Sequence, residues 1–230
     1  MSNLVATALP PLTLHTAGPS GSLGAEQIQG SGYFLGRHLL TMVAGDTNRP
    51  STQIVVGAAL QLSAIWDANG GAQTPRDLEA LIDATHLVVD DTLGEHTGPE
   101  DATSPSLSVI QLLGGRWLAA HVGDCRAFIV RRKRIVPLIE ADDTSRDRSG
   151  ANATINGSVA PRPSPITTCS VAAMHGDIVY TCTPPHRGRL QLPELLATLS
   201  ARGPLRHKAQ QILRRRRGTS GIFALGLCAR

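Results

Sequence analysis

His121-Val122-Gly123-Asp124-Cys125-Arg126-Ala127-Phe128-Ile129-Val130 joins two apolar segments through a Gly-Asp turn. Around it lie four short runs: Leu107–Leu112, Arg116–Val122, Cys125–Arg131 and Ile135–Leu138. Gly114-Gly115, Gly123-Asp124 and Arg132-Lys133 separate them, so the pattern predicts four successive strands in a β-meander.

Upstream, Tyr33-Phe34-Leu35 and His38–Val43 read as strands joined at Gly36-Arg37. Residues 1–13 are extended, with Pro10-Pro11 excluding helix, and the Gly- and Ser-rich residues 17–32 predict turns or loop. Ser51 or Thr52 caps a helix running to about Asn69, because Ile54, Val55, Ala58, Ala59, Leu62, Ile65 and Trp66 recur at helical spacing. Thr74-Pro75-Arg76-Asp77 starts a second helix, with Thr as N-cap, Pro in the first position and an acid in the first turn. Its apolar stripe is Leu78, Leu81, Ile82, Val88, Val89 and Leu93, and the short connection makes the two helices antiparallel neighbours.

Downstream, 141–166 is polar and Pro-rich, which predicts a long loop or flap. Ser170–Met174 and Ile178–Cys182 flank His175-Gly176-Asp177 as a hairpin. Helices over 191–201 and 204–216 and a closing strand, Gly221–Cys228, complete the order. Strands, two helices, many strands, two helices and a strand predict an α+β fold. Two antiparallel sheets are flanked by helix pairs, in one domain spanning 1–230.

Composition narrows the function. Hydrophobic residues make up 41% of the 230, enough for a globular core, but aromatics only 3%. Stacking platforms for single-stranded nucleic acid are therefore not expected, and nucleic acid is a poor candidate partner. The net charge of +4 is unevenly spread, with clusters at Arg131–Arg134 and Arg214–Arg217 that suit solvated turns, a helix end or an acidic partner. Cys125, Cys169, Cys182 and Cys228 match neither zinc spacing nor a C-x-x-C pair and read as reduced thiols of a cytoplasmic protein. The N-terminus does not read as a signal peptide, and no apolar run approaches a membrane span.

The run at Gly123 resembles the signature of the PP2C (PPM) metal-dependent serine/threonine phosphatases, in which (apolar)-G-D-S-R-A-(aromatic)-(apolar) joins two core strands. Counting back, Ser104-Pro105-Ser106 falls at that family's G-T-T and Gly114-Gly115 at its turn. Counting forward, Leu138-Ile139-Glu140-Ala141-Asp142-Asp143-Thr144 falls at L-T-x-D-H-(S/T). Gly176-Asp177-Ile178-Val179-Tyr180-Thr181-Cys182 is similar to the strand leading to S-D-G. The resemblance implies a four-layer α/β/β/α sandwich. The Pro at 105 requires its strand to start later or to lie at an edge.

The family's chemistry needs two divalent ions about 3.5–4 Å apart, held mainly by carboxylates, which activate a water and clamp phosphate oxygens. This chain departs at each ligand position. The early E-D segment becomes 18–27, with Glu26 as its only acid, and the phosphate-binding Arg falls at Gly21 or a neighbour. The D-G becomes Ala44-Gly45, unless a slip brings in Asp46. S-D-G becomes Thr183-Pro184-Pro185, and D-N falls within Gly218-Thr219-Ser220-Gly221. No Asp follows Asp177.

Without those carboxylates two dications lack charge compensation. The expectation is a catalytically inactive, PP2C-like pseudophosphatase with no cofactor. Its vestigial cleft, lined by Glu26, Ala44, Asp46, Pro184 and Thr219, would receive a protein partner: a phosphoprotein, a kinase or a component of a bacterial assembly. The alternative is a divergent phosphatase whose cation site uses Glu26, Asp46 and Asp142 or Asp143. Asp124 reads as a turn residue, and Cys182, four residues before His186, as a core cysteine.

Overall fold

In a computed structural model, the described residues are 12–18, 24–28, 30–45, 50–94, 106–123, 125–139, 166–183, 192–215 and 222–229. The elements in chain order are β1 (Thr13–Ala17), β2 (Gly24–Ile28), β3 (Ser31–Leu35), β4 (Leu39–Ala44), α1 (Pro50–Ala68) and α2 (Pro75–Gly94). Then come β5 (Ser106–Leu113), β6 (Arg116–Val122), β7 (Arg126–Arg131), β8 (Arg134–Ile139), β9 (Thr167–Ala172) and β10 (Ile178–Cys182). The chain closes with α3 (Leu192–Ser200), α4 (Leu205–Arg215) and β11 (Phe223–Ala229).

The strands form two antiparallel sheets. One has the order β1-β11-β10-β7-β8, the other β2-β3-β4-β5-β6-β9. Period-two alternation explains the layers. In β4, Leu40, Met42 and Ala44 face the inter-sheet core with Tyr33, Trp117, Ile129 and Val179. Leu39 and Val43 face outward onto Val56, Leu60, Leu78, Leu81 and Ile82 of α1 and α2. Strand β4 reads as continuously apolar because both its faces are covered. On the other sheet, Tyr180, Phe223 and Leu225 pack against Leu195, Leu199, Ala209 and Ile212 of α3 and α4. The result is the four-layer α/β/β/α sandwich.

The Gly123 connection differs from the meander that the sequence predicts. Strand β6 pairs with β5 and β9, whereas β7 pairs with β10 and β8. The chain therefore crosses between sheets at Gly123, and each strand finds its ladder partners elsewhere. Likewise β9 and β10 are not a hairpin, since they lie in different sheets. The loop predicted over 17–32 contains β2, whose weak apolar alternation suits an edge strand. In α2 the predicted stripe holds at Leu78, Leu81 and Ile82, but Val88 is exposed.

Two hairpin turns have left-handed backbone at both central residues. Gly114-Gly115 adopts it without steric penalty, while Arg132 (φ 48°) and Lys133 (φ 63°) adopt it with side chains. Strand β5 starts after Pro105 and is central, and Pro137 sits in edge strand β8, where a missing N–H is tolerated. Among the described residues no helix is long and apolar enough to cross a membrane.

Candidate functional site

The strand registers bring one set of ends together. Ala44 closes β4 opposite Ser31 and Ser106, and Val122 closes β6 opposite Leu107. In the other sheet Cys182 closes β10 opposite Arg126 and Phe223. Thr183 extends this end: its N–H donates to the Ile222 carbonyl and its Oγ1 accepts from the Ile222 N–H, both at 3.1 Å. Two residues in from this rim, Ser108 Oγ and Thr181 Oγ1 lie 3.4 Å apart and link the two sheets inside the core. These hydroxyl residues were legible only as Ser and Thr interrupting apolar strands, in Leu107-Ser108-Val109 and Tyr180-Thr181-Cys182.

Of the residues predicted to line the cleft, Ala44 is on the rim. Glu26 is in edge strand β2, level with Tyr33 rather than with Ser31, which faces Ala44. Two strand spacings separate Glu26 from β4, roughly 10 Å. The Glu26 Oε2 accepts a hydrogen bond from the hydroxyl of the fully buried Tyr33. Asp46, Pro184 and Thr219 lie outside the described residues, as do Asp124, Pro105, Asp142, Asp143, the rest of 140–165, His186, Arg216 and Arg217.

The last aspartate of the chain sits elsewhere. Asp177 precedes β10, six residues from Thr183, or roughly 20 Å of extended strand away from the rim. Its carboxylate is buried and bound by Arg131, by the Trp117 indole N–H and by the Met174 N–H. That hydrogen-bonded carboxylate raises the pKa of the Arg131 guanidinium. Cys182 is a buried core residue, burial pushes the half-buried Cys169 thiol up, and none of the four cysteines forms a disulfide.

A binuclear centre needs several carboxylates converging on one point. Among the described residues no three His, Cys, Asp or Glu side chains converge. The described rim offers Ala44, Ser31, Ser106 and Thr183, and Glu26 is engaged by Tyr33. These residues do not fit a pair of dications.

Comparison with known proteins places the architecture. No family model matches the sequence, and no curated protein matches it. Solved structures match over nearly the whole chain. The catalytic domain of the serine/threonine protein phosphatase PstP, solved with 2 manganese ions, superposes with a TM-score of 0.76 at 17% identity, covering 96% of this chain and 100% of that one. The fold is that of the PP2C (PPM) phosphatases. The PPM Ser-Thr phosphatase MsPP from Mycobacterium smegmatis, solved with cacodylate, gives 0.66 at 13% identity over 94% of this chain and 98% of its own. PppA of Pseudomonas aeruginosa, described as a key regulatory component of the T6SS, gives 0.69 at 12% identity over 94% and 96%. At these identities the PP2C likeness is one of architecture.

Proposed function

We propose that the chain, taken as one module over 1–230, is a PP2C-like pseudophosphatase of the cytoplasm that binds a protein partner rather than hydrolysing a phosphoester. The supporting observation is the separation of two described carboxylates, Asp177 and Glu26, from the strand ends. Asp177 is tied to Arg131 and Trp117 at the far end of β10, and Glu26 is tied to Tyr33. Ala44 occupies the end of β4, where the resemblance to the PP2C family puts the aspartate of its D-G. The regulatory role named for PppA supports a partner that is an assembly component, and a phosphoprotein or kinase would fit the same cleft. Glu26, Ala44, Asp46, Pro184 and Thr219 are the residues proposed to line it.

The test is hydrolysis of p-nitrophenyl phosphate and of a phosphopeptide with and without Mn²⁺, together with calorimetric titration of Mn²⁺. The expected result is no metal-dependent turnover and no stoichiometric binding of two ions. Turnover abolished by Asp46→Asn would overturn this reading in favour of a divergent phosphatase using Glu26, Asp46 and Asp142 or Asp143. Partner capture with the chain as bait should weaken on Ala44→Arg, which fills the rim.

A further inference from the structure

The two outer helix layers carry opposite charge. Among the described side chains, α1 and α2 carry Asp67, Asp77, Glu79 and Asp83 against the single base Arg76; Asp67 and Asp77 are bound to backbone N–H groups, which leaves Glu79 and Asp83 to face outward. Helices α3 and α4 with their connection hold five bases, from Arg202 to Arg215, against the single acid Glu194. Lys208 is spent internally, capping α3 through the carbonyls of Leu199 and Ala201, while Arg202, Arg206, Arg214 and Arg215 are exposed. The layers lie on opposite faces of the sandwich, because each covers a different sheet.

Both layers also expose large apolar side chains. Leu87 is 70% exposed and stands one helical turn from exposed Asp83. On α4, Leu213 is 46% exposed within the face marked by Arg206, Gln210 and Arg214, which recur every four residues. Nearly all the exposed large hydrophobic residues among those described fall on these two layers, with Met174 the exception. An acid–leucine stripe and an arginine–leucine stripe are complementary in sign and in the apolar contact between them.

We propose that the α3–α4 layer of one copy docks on the α1–α2 layer of a second copy. The charge pattern sets the symmetry. Like layer on like layer would juxtapose cations with cations, or carboxylates with carboxylates. Unlike layers attract, so the contact is heterologous. Each added copy then leaves one acidic and one basic layer free, and the association propagates head to tail instead of closing as a two-fold dimer. Asp83, Arg202, Arg206, Arg214 and Arg215 are exposed and Glu79 is half-buried, so the association is sensitive to ionic strength.

Sedimentation velocity and light scattering on the full chain test this. At about 50 mM salt the weight-average mass should rise continuously with concentration, without a plateau at two chains, and should return to that of one chain at about 0.5 M salt, where screening is strong. R206E/R214E and E79K/D83K should each weaken association about tenfold or more when alone, with unchanged melting temperatures. An equimolar mixture of the two variants should recover it, since the untouched acidic layer of one then meets the untouched basic layer of the other. A wild-type mass of one chain at every concentration overturns the proposal, as does association unchanged by salt or a mixture that fails to recover. A monomer that instead retains duplex DNA through Arg206 and Arg214 overturns it too, assigning that face to a polyanion.

Discussion

Arg131 and Asp177 form a two-point ion pair between the end of β7 and the start of β10. Nε meets Oδ1 at 2.8 Å and Nη2 meets Oδ2 at 2.6 Å. Asp177 is 1% exposed and Arg131 17%, and the Trp117 indole N–H, at 3.0 Å, brings the inter-sheet core into the same cluster. Removing either partner leaves a charge in the interior without its counter-ion. Asp177→Ala and Arg131→Met should each destabilise the fold by about 3–5 kcal/mol, read as a shift of the urea midpoint. A double-mutant cycle should show coupling of about 1–3 kcal/mol. A loss below about 1 kcal/mol for Asp177→Ala would show that the cluster is not a structural tie.

Gln111 does for α1, α2 and β5 what Asp177 does for the far end of the sheets. Its Oε1 accepts from the Ala72 N–H at 2.8 Å and its Nε2 donates to the Ala72 carbonyl at 2.7 Å. The side chain mimics a strand partner for the inter-helix connection, which passes at Gly71 with left-handed φ of +74°. Gln111→Leu keeps the volume but orphans one buried donor and one acceptor. The expected loss is about 2–3 kcal/mol in chemical denaturation. A neutral result would mean that water reaches Ala72.

The sheets were legible from alternation, and the helices from their caps and spacing, because burial on one or two faces writes a period into the sequence. The pairing was not. Cys125–Arg131 follows Arg116–Val122 after one tight connection, which in isolation spells a hairpin; only the competition of β5, β9, β10 and β8 for ladder positions sends the strands to different sheets. Strand β2 was illegible because Gly24-Ala25-Glu26-Gln27-Ile28 pairs on one side only and needs little apolar patterning. At the site, Ala44 could be placed by counting. The engagement of Glu26 by Tyr33 could not, since a register between two strands is required to bring them level.

Asp67 ties the end of α1 to the β3–β4 turn. Its carboxylate accepts from the N–H groups of Arg37 at 3.0 Å, His38 at 2.6 Å and Leu39 at 3.0 Å. A Cβ at Gly36 would overlap that carboxylate, so a larger residue there has to displace the Asp67 side chain. Asp67→Ala should cost about 1–3 kcal/mol, and Asp67→Asn less, since one carbonyl oxygen can still accept. Gly36→Ala should cost a comparable amount by expelling the carboxylate. The double variant should fall well short of the sum, because both changes remove the same contact. Additive losses in thermal melts would contradict the shared origin.

Asp77 gives the fold a specific acid sensitivity. Its Oδ2 accepts from the N–H groups of Gln73 and Thr74, both at 2.8 Å, closing the N-terminus of α2. These backbone donors, Gln73 first and Thr74 next, hold the carboxyl below its ordinary value of 3.8. A carboxyl whose folded pKa is depressed stabilises the fold above its unfolded pKa, and that contribution disappears as pH falls through the folded one. Asp77→Ala should therefore be less stable than the parent chain at pH 7, and the deficit should shrink as pH falls below the ordinary carboxyl value, when midpoints in urea are compared across that range. Asp77→Asn, which keeps an acceptor without a titrating charge, should show a flatter acid limb than the parent. An Asp77→Ala deficit that stays constant through the whole acid limb would locate the stabilisation in a pH-independent contact instead of the ionised carboxylate.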